Sequence, residues 1–405
     1  MSLNRELPNL MQIRAFVRVA ELGSVSKASS TLYRAQSVIT RAISDLEKHL
    51  GVLLFERHAN GMRLTDNGAC VLVRAQRVIE ELSSASSLQD SAGGGAAEPL
   101  YLFQTRRLQL FVKLCETHHM QTVANQFGLS QPAVSAALKV LESGTGSRLF
   151  ERTPRGLQPT RISQELLFFI RRALNELRHI SADLAAMGGN LEGIVHVGAL
   201  PLGRTRLLPE AIVRVLERHP NLQIVTNESP FDLLATDLRA GDIDFILGAL
   251  RAEQYASDLH GEALMYEPMA ILVRHGHPLL EKTLDKSHLE KAQWILPRAG
   301  SPARKLLTDC FTDAKMAPPK PAIESGDLAV IRGLLHRSNM LAAVSAHQLE
   351  YEILSGELSV LPWPLSNTSR AIGLTQRTTS LHSPGAKALM KAIRDIIQEQ
   401  SRYKH

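Results

Sequence analysis

The chain has 405 residues, of which 44% are apolar and 21% charged, with a formal net charge of +6. That length predicts roughly two to four domains, the composition is that of a globular protein, and no apolar run is long enough for a membrane span or a secretory leader, so no membrane association is expected. Three widely spaced cysteines, Cys70, Cys115 and Cys310, argue against a disulfide framework or a zinc site and fit a reducing cytoplasm.

The N-terminal elements read as helix, helix, turn, helix and hairpin. Leu10–Ala20 places Leu10, Ile13, Phe16, Val17 and Ala20 at helical spacing. Gly23-Ser24 breaks it, and Ser24 or Ser26 caps a short helix, Lys27–Leu32. Tyr33-Arg34 forms a tight corner, and Ala35–Leu50 is a third helix with Val38, Ile39, Ala42, Ile43, Leu46 and Leu50 inward. Leu53–Thr65 reads as two short strands around Asn60-Gly61. Beyond it, Gly68, Val71, Ala75, Val78, Leu82 and Ala85 mark an apolar helix seam, and Ser83–Pro99, with Gly93-Gly94-Gly95, reads as a flexible tether.

The chain then repeats itself. Residues 13–68 align without a gap onto 108–163 at an offset of 95, with 14 of 56 positions identical. Phe16-Val17 recurs as Phe111-Val112, Leu46-Glu47 as Leu141-Glu142, Leu54-Phe55-Glu56-Arg57 as Leu149-Phe150-Glu151-Arg152, and Gly51, Gly61 and Thr65 as Gly146, Gly156 and Thr160. In this copy the helices fall at Leu108–Cys115, Gln121–Phe127 and Gln131–Glu142, with Gly128-Leu129 as the turn and Arg155-Gly156 at the wing tip; Pro132 suits a first helical turn. Ser163, Leu166, Ile170, Ala173, Leu177, Ile180, Leu184 and Met187 then form a heptad seam on a helix of about 25 residues ended by Gly188-Gly189. Arg171, Arg172, Glu176 and Arg178 occupy its polar faces, which reads as a seam that pairs two subunits rather than packing on its own domain.

Lys and Arg number 11 against 9 Asp and Glu in residues 1–90, 11 against 6 in 100–187, and 24 against 24 in 188–405. The basic excess lies in the repeated half, which suits a polyanionic partner there. A helix-turn-helix presents the polar N-terminal face of its third helix to the major groove and packs the opposite face inward. Gln36, Ser37, Thr40 and Arg41, beside Arg34, form that face in the first copy; Ser130, Gln131, Pro132, Ser135 and Lys139 form it in the second. Gln and Arg make bidentate bonds to base edges, while Ser and Thr bond bases or phosphate. Arg57 and Arg63, and Arg152 and Arg155, are the expected flanking phosphate contacts.

From Gly193 strands and helices alternate, which implies a parallel sheet with right-handed crossovers. Ile194–Ala199, Leu222–Asn227 and Ile243–Gly248 read as strands of a first lobe; Met269–Arg274, Gln293–Leu296, Ala322–Glu324 and Leu341–Val344 extend into a second, and Ile372–Gln376 and Pro384–Gln398 return to the first. Ligands of open α/β sheets sit at the carboxyl ends of strands, where helix N-termini favour anions. The loops to watch are 200–205, 229–231, 249–251, 298–304 and 324–327, with Leu200, Pro201, Arg204, Thr205, Ser229, Phe231, Arg251, Arg298, Ser301, Arg304 and Ser325 as candidate contacts. The region has no nucleophile elbow, P-loop, HExxH or glycine fingerprint, so an enzyme is not expected.

Both copies resemble the winged helix-turn-helix of the LysR-type transcriptional regulators. The matching words are Ser130-Gln131-Pro132-Ala133-Val134-Ser135, the two Leu-Phe-Glu-Arg stretches, and Gly23-Ser24, Leu64-Thr65 and Gly68. Ser37 stands where the family has proline, Ala35 for serine, His118-His119 for Gly-Ser, Ala136 opposite Arg41, and Pro159-Thr160 for Leu-Thr. The C-terminal half resembles the family's two-lobed effector domain through Gly198-Ala199-Leu200-Pro201, Leu208-Pro209, 238–244, His277-Pro278-Leu279 and Trp294-Ile295-Leu296-Pro297.

The resemblance implies a multi-domain chain: a winged helix-turn-helix at 1–68, a dimerisation-type helix at 69–90, a tether at 91–99, a second winged helix-turn-helix at 100–160, a linker dimerisation helix at 161–188, and an effector domain at 190–405. Its lobes are expected at 190–250 with 370–405, and at 251–369. It further implies a bacterial, cytoplasmic regulator that binds promoter or operator DNA, works with RNA polymerase, pairs through its linker helices into homodimers or homotetramers, needs no cofactor or metal, and senses a small organic acid, aromatic acids included. Activation is the family's habit. The alternative is a nucleoid-type or ligand-independent repressor in which one copy serves protein contact.

Overall fold

The computed structural model describes residues 6–58, 61–87, 98–154, 156–251 and 257–402. Arg155 and most of the tether lie outside the described residues, as does the side chain of Arg57.

In the first copy α1 (Leu10–Leu22), α2 (Val25–Leu32) and α3 (Gln36–Leu50) are followed by β1 (Phe55–His58), β2 (Gly61–Leu64) and α4 (Asp66–Ser87). The second copy runs α5 (Thr105–Thr117), α6 (Met120–Phe127), α7 (Gln131–Thr145), β3 (Phe150–Thr153), β4 (Gly156–Pro159) and α8 (Arg161–Met187). Their shared words are explained by shared contacts. Phe16 meets Phe55 with ring centroids 5.4 Å apart, and Phe111 meets Phe150 at 5.9 Å. Glu47 Oε1 accepts the Leu54 N–H at 2.8 Å, and Glu142 Oε1 accepts that of Leu149 at 3.0 Å, so each Leu-Glu pair anchors a wing to its third helix. Thr65 caps α4 by accepting the Gly68 N–H, and Thr160 caps α8 by accepting that of Ser163.

Each wing rests on the end of the first helix. Met62 donates its N–H to Gly23 O and Leu157 to His118 O, both at 3.0 Å. A Cβ on Gly61 would stand 2.5 Å from that Gly23 oxygen, and one on Gly156 2.7 Å from the His118 oxygen, which is why glycine recurs there. One expected core residue does not face inward: Val38 is 52% exposed, because the first turn of α3 projects beyond the packed face carried by Ile39, Ile43 and Leu46.

The two linker helices do not await a second subunit. α4 and α8 pack against each other within the chain, burying Val71, Ala75, Val78, Leu82 and Ala85 against a seam of Leu166, Ile170, Ala173, Leu177 and Ile180. Partners run in opposite directions, Arg77 with Glu176 at 2.8 Å and Glu81 with Arg172 at 3.8 Å, so the pair is antiparallel. Arg172 and Glu176 are the repeat mates of Arg77 and Glu81, so each ion pair is the image of the other. Such reciprocity is the mark of a two-fold interface, here formed by one polypeptide. The seam expected to pair two subunits is, within this chain, covered by α4. Tethering raises the effective concentration of one copy near the other, which favours this intramolecular pairing. The polar faces are not solvated either: Glu176 is 3% exposed, and Arg171 pairs with Asp242 at 2.9 Å.

The C-terminal domain has two lobes. β6 (Leu222–Asn227), β5 (Gly193–Ala199), β7 (Phe245–Ala249), β14 (Arg370–Arg377) and β8 (Leu259–Glu267) form the first sheet in that order. α9 (Leu207–Arg218) and α12 (Pro384–Arg402) pack on one of its faces and α10 (Phe231–Ala240) contributes to a separate apolar cluster. The second sheet is β11 (Pro321–Glu324), β10 (Trp294–Leu296), β12 (Leu341–Val344), β9 (Ala270–Arg274) and β13 (Leu358–Val360). The lobe boundary expected at 251 moves to the Glu267–Ala270 crossover, because β8 pairs along its whole length with β14. β8 carries the apolar run Ala263–Tyr266, but its first half is His260, Gly261 and Glu262, and as an edge strand it is only partly buried, so no alternation marks its full length. β14 runs antiparallel to β7, so the sheets are mixed rather than wholly parallel.

Candidate DNA-reading faces and effector cleft

In the first copy Gln36, Ser37, Thr40 and Arg41 are exposed on α3, opposite buried Ile39, Ile43 and Leu46. Gln36 Nε2 donates to Ser26 Oγ at 3.1 Å, so α2 holds its amide. Arg41 is 84% exposed and only 3.8 Å from Asp45, a solvated contact of little energy that leaves its guanidinium available. Arg34 is exposed beside it, and the turn is closed by Tyr33 in the left-handed region at φ 52 with 93% of its surface exposed. The repeat mate of Tyr33 is Gly128 at φ 62, the residue type that accepts this backbone without strain.

In the second copy Ser130, Gln131, Pro132 and Lys139 are exposed and Ser135 is half-buried, over Val134, Leu138 and Leu141. Neither α3 nor α7 has a side-chain cap or an acidic residue in its first turn, so their leading N–H groups and positive dipole ends are open to phosphate. On the wings Arg63 lies across from Glu56 and Arg152 across from Leu157, both arginines exposed.

The helix-turn-helix pair is tied to the C-terminal domain through α4. Arg74, 1% exposed, bonds Glu176 at 2.6 Å and Asp183 at 2.7 Å, and reaches Leu381 O and His382 O of the first lobe. Burial alone would lower its pKa, but Asp183 and Glu176 more than offset that and hold it above its ordinary value. Arg77 donates to Thr379 O at 2.6 Å, and Arg172 to Arg239 O at 2.6 Å. Nothing in the periodicity singled out Arg74, whose repeat mate is Phe169.

All the effector loops lie at carboxyl ends of strands, as expected, but divided between the two lobes. Leu200 and Phe231 are buried in one apolar cluster and shape the wall rather than offering polar groups. Arg251 stacks over the Phe231 ring at 4.4 Å. Pro201, Arg204, Thr205 and Ser229 are half-buried at the same sheet edge. On the second lobe Ser301 caps α11 (Pro302–Asp313), and Arg304 is held by Pro297 O at 3.0 Å and Glu324 at 3.1 Å; those two support the loop. Arg298 is exposed, and Ser325 Oγ accepts the Asp327 N–H.

Residues missed from the sequence sit where the chain crosses between lobes. Buried Glu267 accepts from Ser345 Oγ at 2.8 Å and lies 2.8 Å from His347 Nδ1. Arg206 of the first lobe pairs with Glu350 of the second at 2.7 Å. Arg370, at the start of β14, has a buried Nε without a partner among the described residues. Burial lowers its pKa, with Glu267 opposing and Arg251 adding to that shift. A cavity of about 450 Å³ lies elsewhere, between the second copy and the first lobe; Glu116, Glu228, Asp237 and Asp242 line it together with Arg171 and His196, and Arg171 is already paired with Asp242 and Glu116.

The sequence matches the family described as bacterial regulatory helix-turn-helix protein, lysR family, twice, over residues 10–69 and 105–164, and the LysR substrate binding domain over 188–398. It is 66% identical over 396 residues to the HTH-type transcriptional regulator GalR of Pseudomonas putida, covering 98% of this chain and 99% of that one. It is 30% identical over 298 residues to the HTH-type transcriptional regulator PcaQ of Agrobacterium fabrum, covering 73% of this chain and 95% of that one. The GalR match extends through both repeats, whereas the PcaQ match leaves out a stretch of this chain about as long as one repeat unit. In fold it is similar to a full-length single-residue variant of OxyR from Pseudomonas aeruginosa, with TM-score 0.56 and 23% identity over 73% of this chain and 94% of that one. Full-length CbnR complexed with its target DNA gives TM-score 0.54 and 19% identity over 72% and 99%. These relatives are transcriptional regulators, not enzymes, and this chain belongs to the LysR family of transcriptional regulators.

Proposed function

We propose that this protein is a ligand-responsive regulator that reads operator DNA with both of its winged helix-turn-helix copies and senses a small organic acid between its effector lobes. The observation that carries the reading is the coexistence of two exposed, uncapped recognition-helix N-termini with a single two-lobed domain wired to them through Arg74 and Arg77. Gln36, Arg41, Gln131 and Lys139 supply base-edge and phosphate donors, and Arg63 and Arg152 flank the groove. Arg251 and Arg370, near the Glu267 crossover, supply the charge for a carboxylate, and Phe231 holds the Arg251 guanidinium in place beneath it.

A ligand that bridges the lobes would favour one closure over another and move residues 379–382, the segment that Arg74 and Arg77 grip. The change passes to the linker pair and so to the bend of the bound DNA, which sets access for RNA polymerase; the protein acts in the cytoplasm, as an activator. Separate footprints with Gln36→Ala/Arg41→Ala and Gln131→Ala/Ser135→Ala test the reading of DNA, each double variant being expected to lose protection over its own half-site. An unchanged footprint retires that copy to protein contact. Calorimetric titration with a panel of organic acids, aromatic ones included, tests the sensor; absence of heat from every member removes the organic-acid assignment.

A further inference from the structure

The pairing of α4 with α8 makes one chain a complete two-fold reader, but its two halves are not chemically the same. At equivalent positions Gln36 and Gln131 agree, whereas Ser37 faces Pro132, Val38 faces Ala133, Arg41 faces Ala136, Ser44 faces Lys139 and Arg34 faces Leu129. Arg34, Val38, Arg41 and Ser44 are all exposed on the first reader, as Pro132, Ala133, Ala136 and Lys139 are on the second, so the differences lie on the outward surface and not in the core. A regulator assembled from two identical chains has identical readers and selects an inverted repeat, since operator symmetry mirrors protein symmetry. Here the chain builds the two-fold interface itself, as the mirrored Arg77–Glu176 and Arg172–Glu81 pairs show, and seats a different side-chain set at each end.

We propose that the operator of this protein is a bipartite duplex whose two half-sites differ in sequence, one read by α3 and the other by α7 of the same chain. The inference rests on the reading of the protein as a sequence-specific DNA-binding regulator and adds what that DNA looks like. The half under α3 carries a base pair selected by Arg41, whose planar fork matches the O6 and N7 acceptors of guanine. The half under α7 has no such requirement at the equivalent position, because Ala136 offers only a methyl group, which suits a thymine methyl contact. The site therefore has a direction, and a bound chain places its single effector domain in one orientation relative to the promoter.

Selection of binding sites from random duplex DNA with the purified full-length protein tests this, run in parallel with Arg41→Ala and Ala136→Arg. Both positions are exposed, so neither variant threatens folding. The expected product is a two-part motif with unlike halves. Arg41→Ala is expected to lose preference at a position in one half only and to weaken binding about 10-fold, the scale of one bidentate base contact. Ala136→Arg should instead make the halves more alike. An inverted-repeat motif, or loss of preference in both halves at once with Arg41→Ala, overturns the proposal, since it means that α3 from two chains reads both halves. Failure of every preparation to enrich any sequence overturns the underlying regulator reading as well, which separates the two failures.

Discussion

The Leu10 N–H donates to Thr105 Oγ1 at 3.1 Å, and these two residues are 95 positions apart, the offset of the repeat. A residue can meet its own repeat mate only where the symmetry axis passes. The contact therefore marks the local two-fold axis that the Arg77–Glu176 and Arg172–Glu81 pairs straddle. Thr105 also donates to Pro8 O at 2.9 Å, so the start of one copy is pinned to the start of the other. Arg14 of α1 adds an ion pair to Glu98, beside Phe103 at 5.9 Å.

The first prediction concerns that axis. Leu177 and Leu82 are each no more than 1% exposed in the α4–α8 seam. Leu177→Ala should cost about 3 kcal/mol from lost burial and the cavity left behind. Urea unfolding checks the cost. DNA affinity should fall together with stability, because the readers are held in register by this pair.

Arg74 gives the second. Arg74→Ala leaves Glu176, 3% exposed, with one of its two arginine partners gone, and is expected to destabilise the protein by about 3 kcal/mol. Arg77→Ala, at a 25% exposed side chain, should cost less, since solvent can replace part of what is lost. Thermal unfolding of the two variants side by side tests the order.

His179 supplies a pH dependence. Its side chain lies in α8, the residue is 8% exposed, and burial first, then the charges of Arg74 and Arg178, push its pKa down to about 3. Between pH 6.5 and that value the unfolded chain binds a proton that the folded one refuses, so this group's contribution is complete above pH 6.5 and is lost on acidification. Asp244 acts in the opposite sense. Its pKa is raised to about 6 by burial, so the folded state gains a proton first and is relatively favoured as pH falls below 6. His179→Gln should therefore remove about 2 kcal/mol of the stability change between about pH 7 and about pH 5, and Asp244→Asn should make the acid loss steeper. Denaturant midpoints at the two pH values give both slopes.

The wings offer a fourth. Arg63 and Arg152 are exposed and assigned to phosphate. Replacing either with alanine should weaken binding to all duplexes alike and reduce the slope of log affinity against log salt by about 1, without changing base preference. A change in preference would move that arginine from the backbone to the bases.

For the sensor, Arg370→Met should lower the affinity of an organic acid ligand about 10-fold while leaving operator binding in the absence of ligand unchanged, because the variant removes a charge-assisted bond to the carboxylate and touches no DNA-reading residue. Calorimetry and a gel-shift assay on the same preparation read the two quantities.

Local chemistry wrote much of this molecule legibly into the chain. The repeat, the exposed faces of the two third helices, the cap at Ser24 and the strand ends that carry the candidate effector loops follow from spacing, capping and turn preferences, which act over a few residues. The periodicity of Leu166, Ile170, Ala173, Leu177 and Ile180 likewise showed that a helix face must be covered. It did not show by what. A heptad seam is satisfied equally by a second subunit or by its own repeat mate, and the choice of α4 rests on tether length and on the distant pairing of Arg77 with Glu176 and Glu81 with Arg172. The Arg74 link to residues 381 and 382, the lobe boundary after β8 and the Glu267–Arg370 crossover are contacts across tens to hundreds of positions that no local pattern encodes. The sequence alone determined that two helix-turn-helix copies and one two-lobed domain share this chain; only the tertiary structure decided that the two copies pack together through α4 and α8, because that choice of partner rests on contacts about a hundred positions apart.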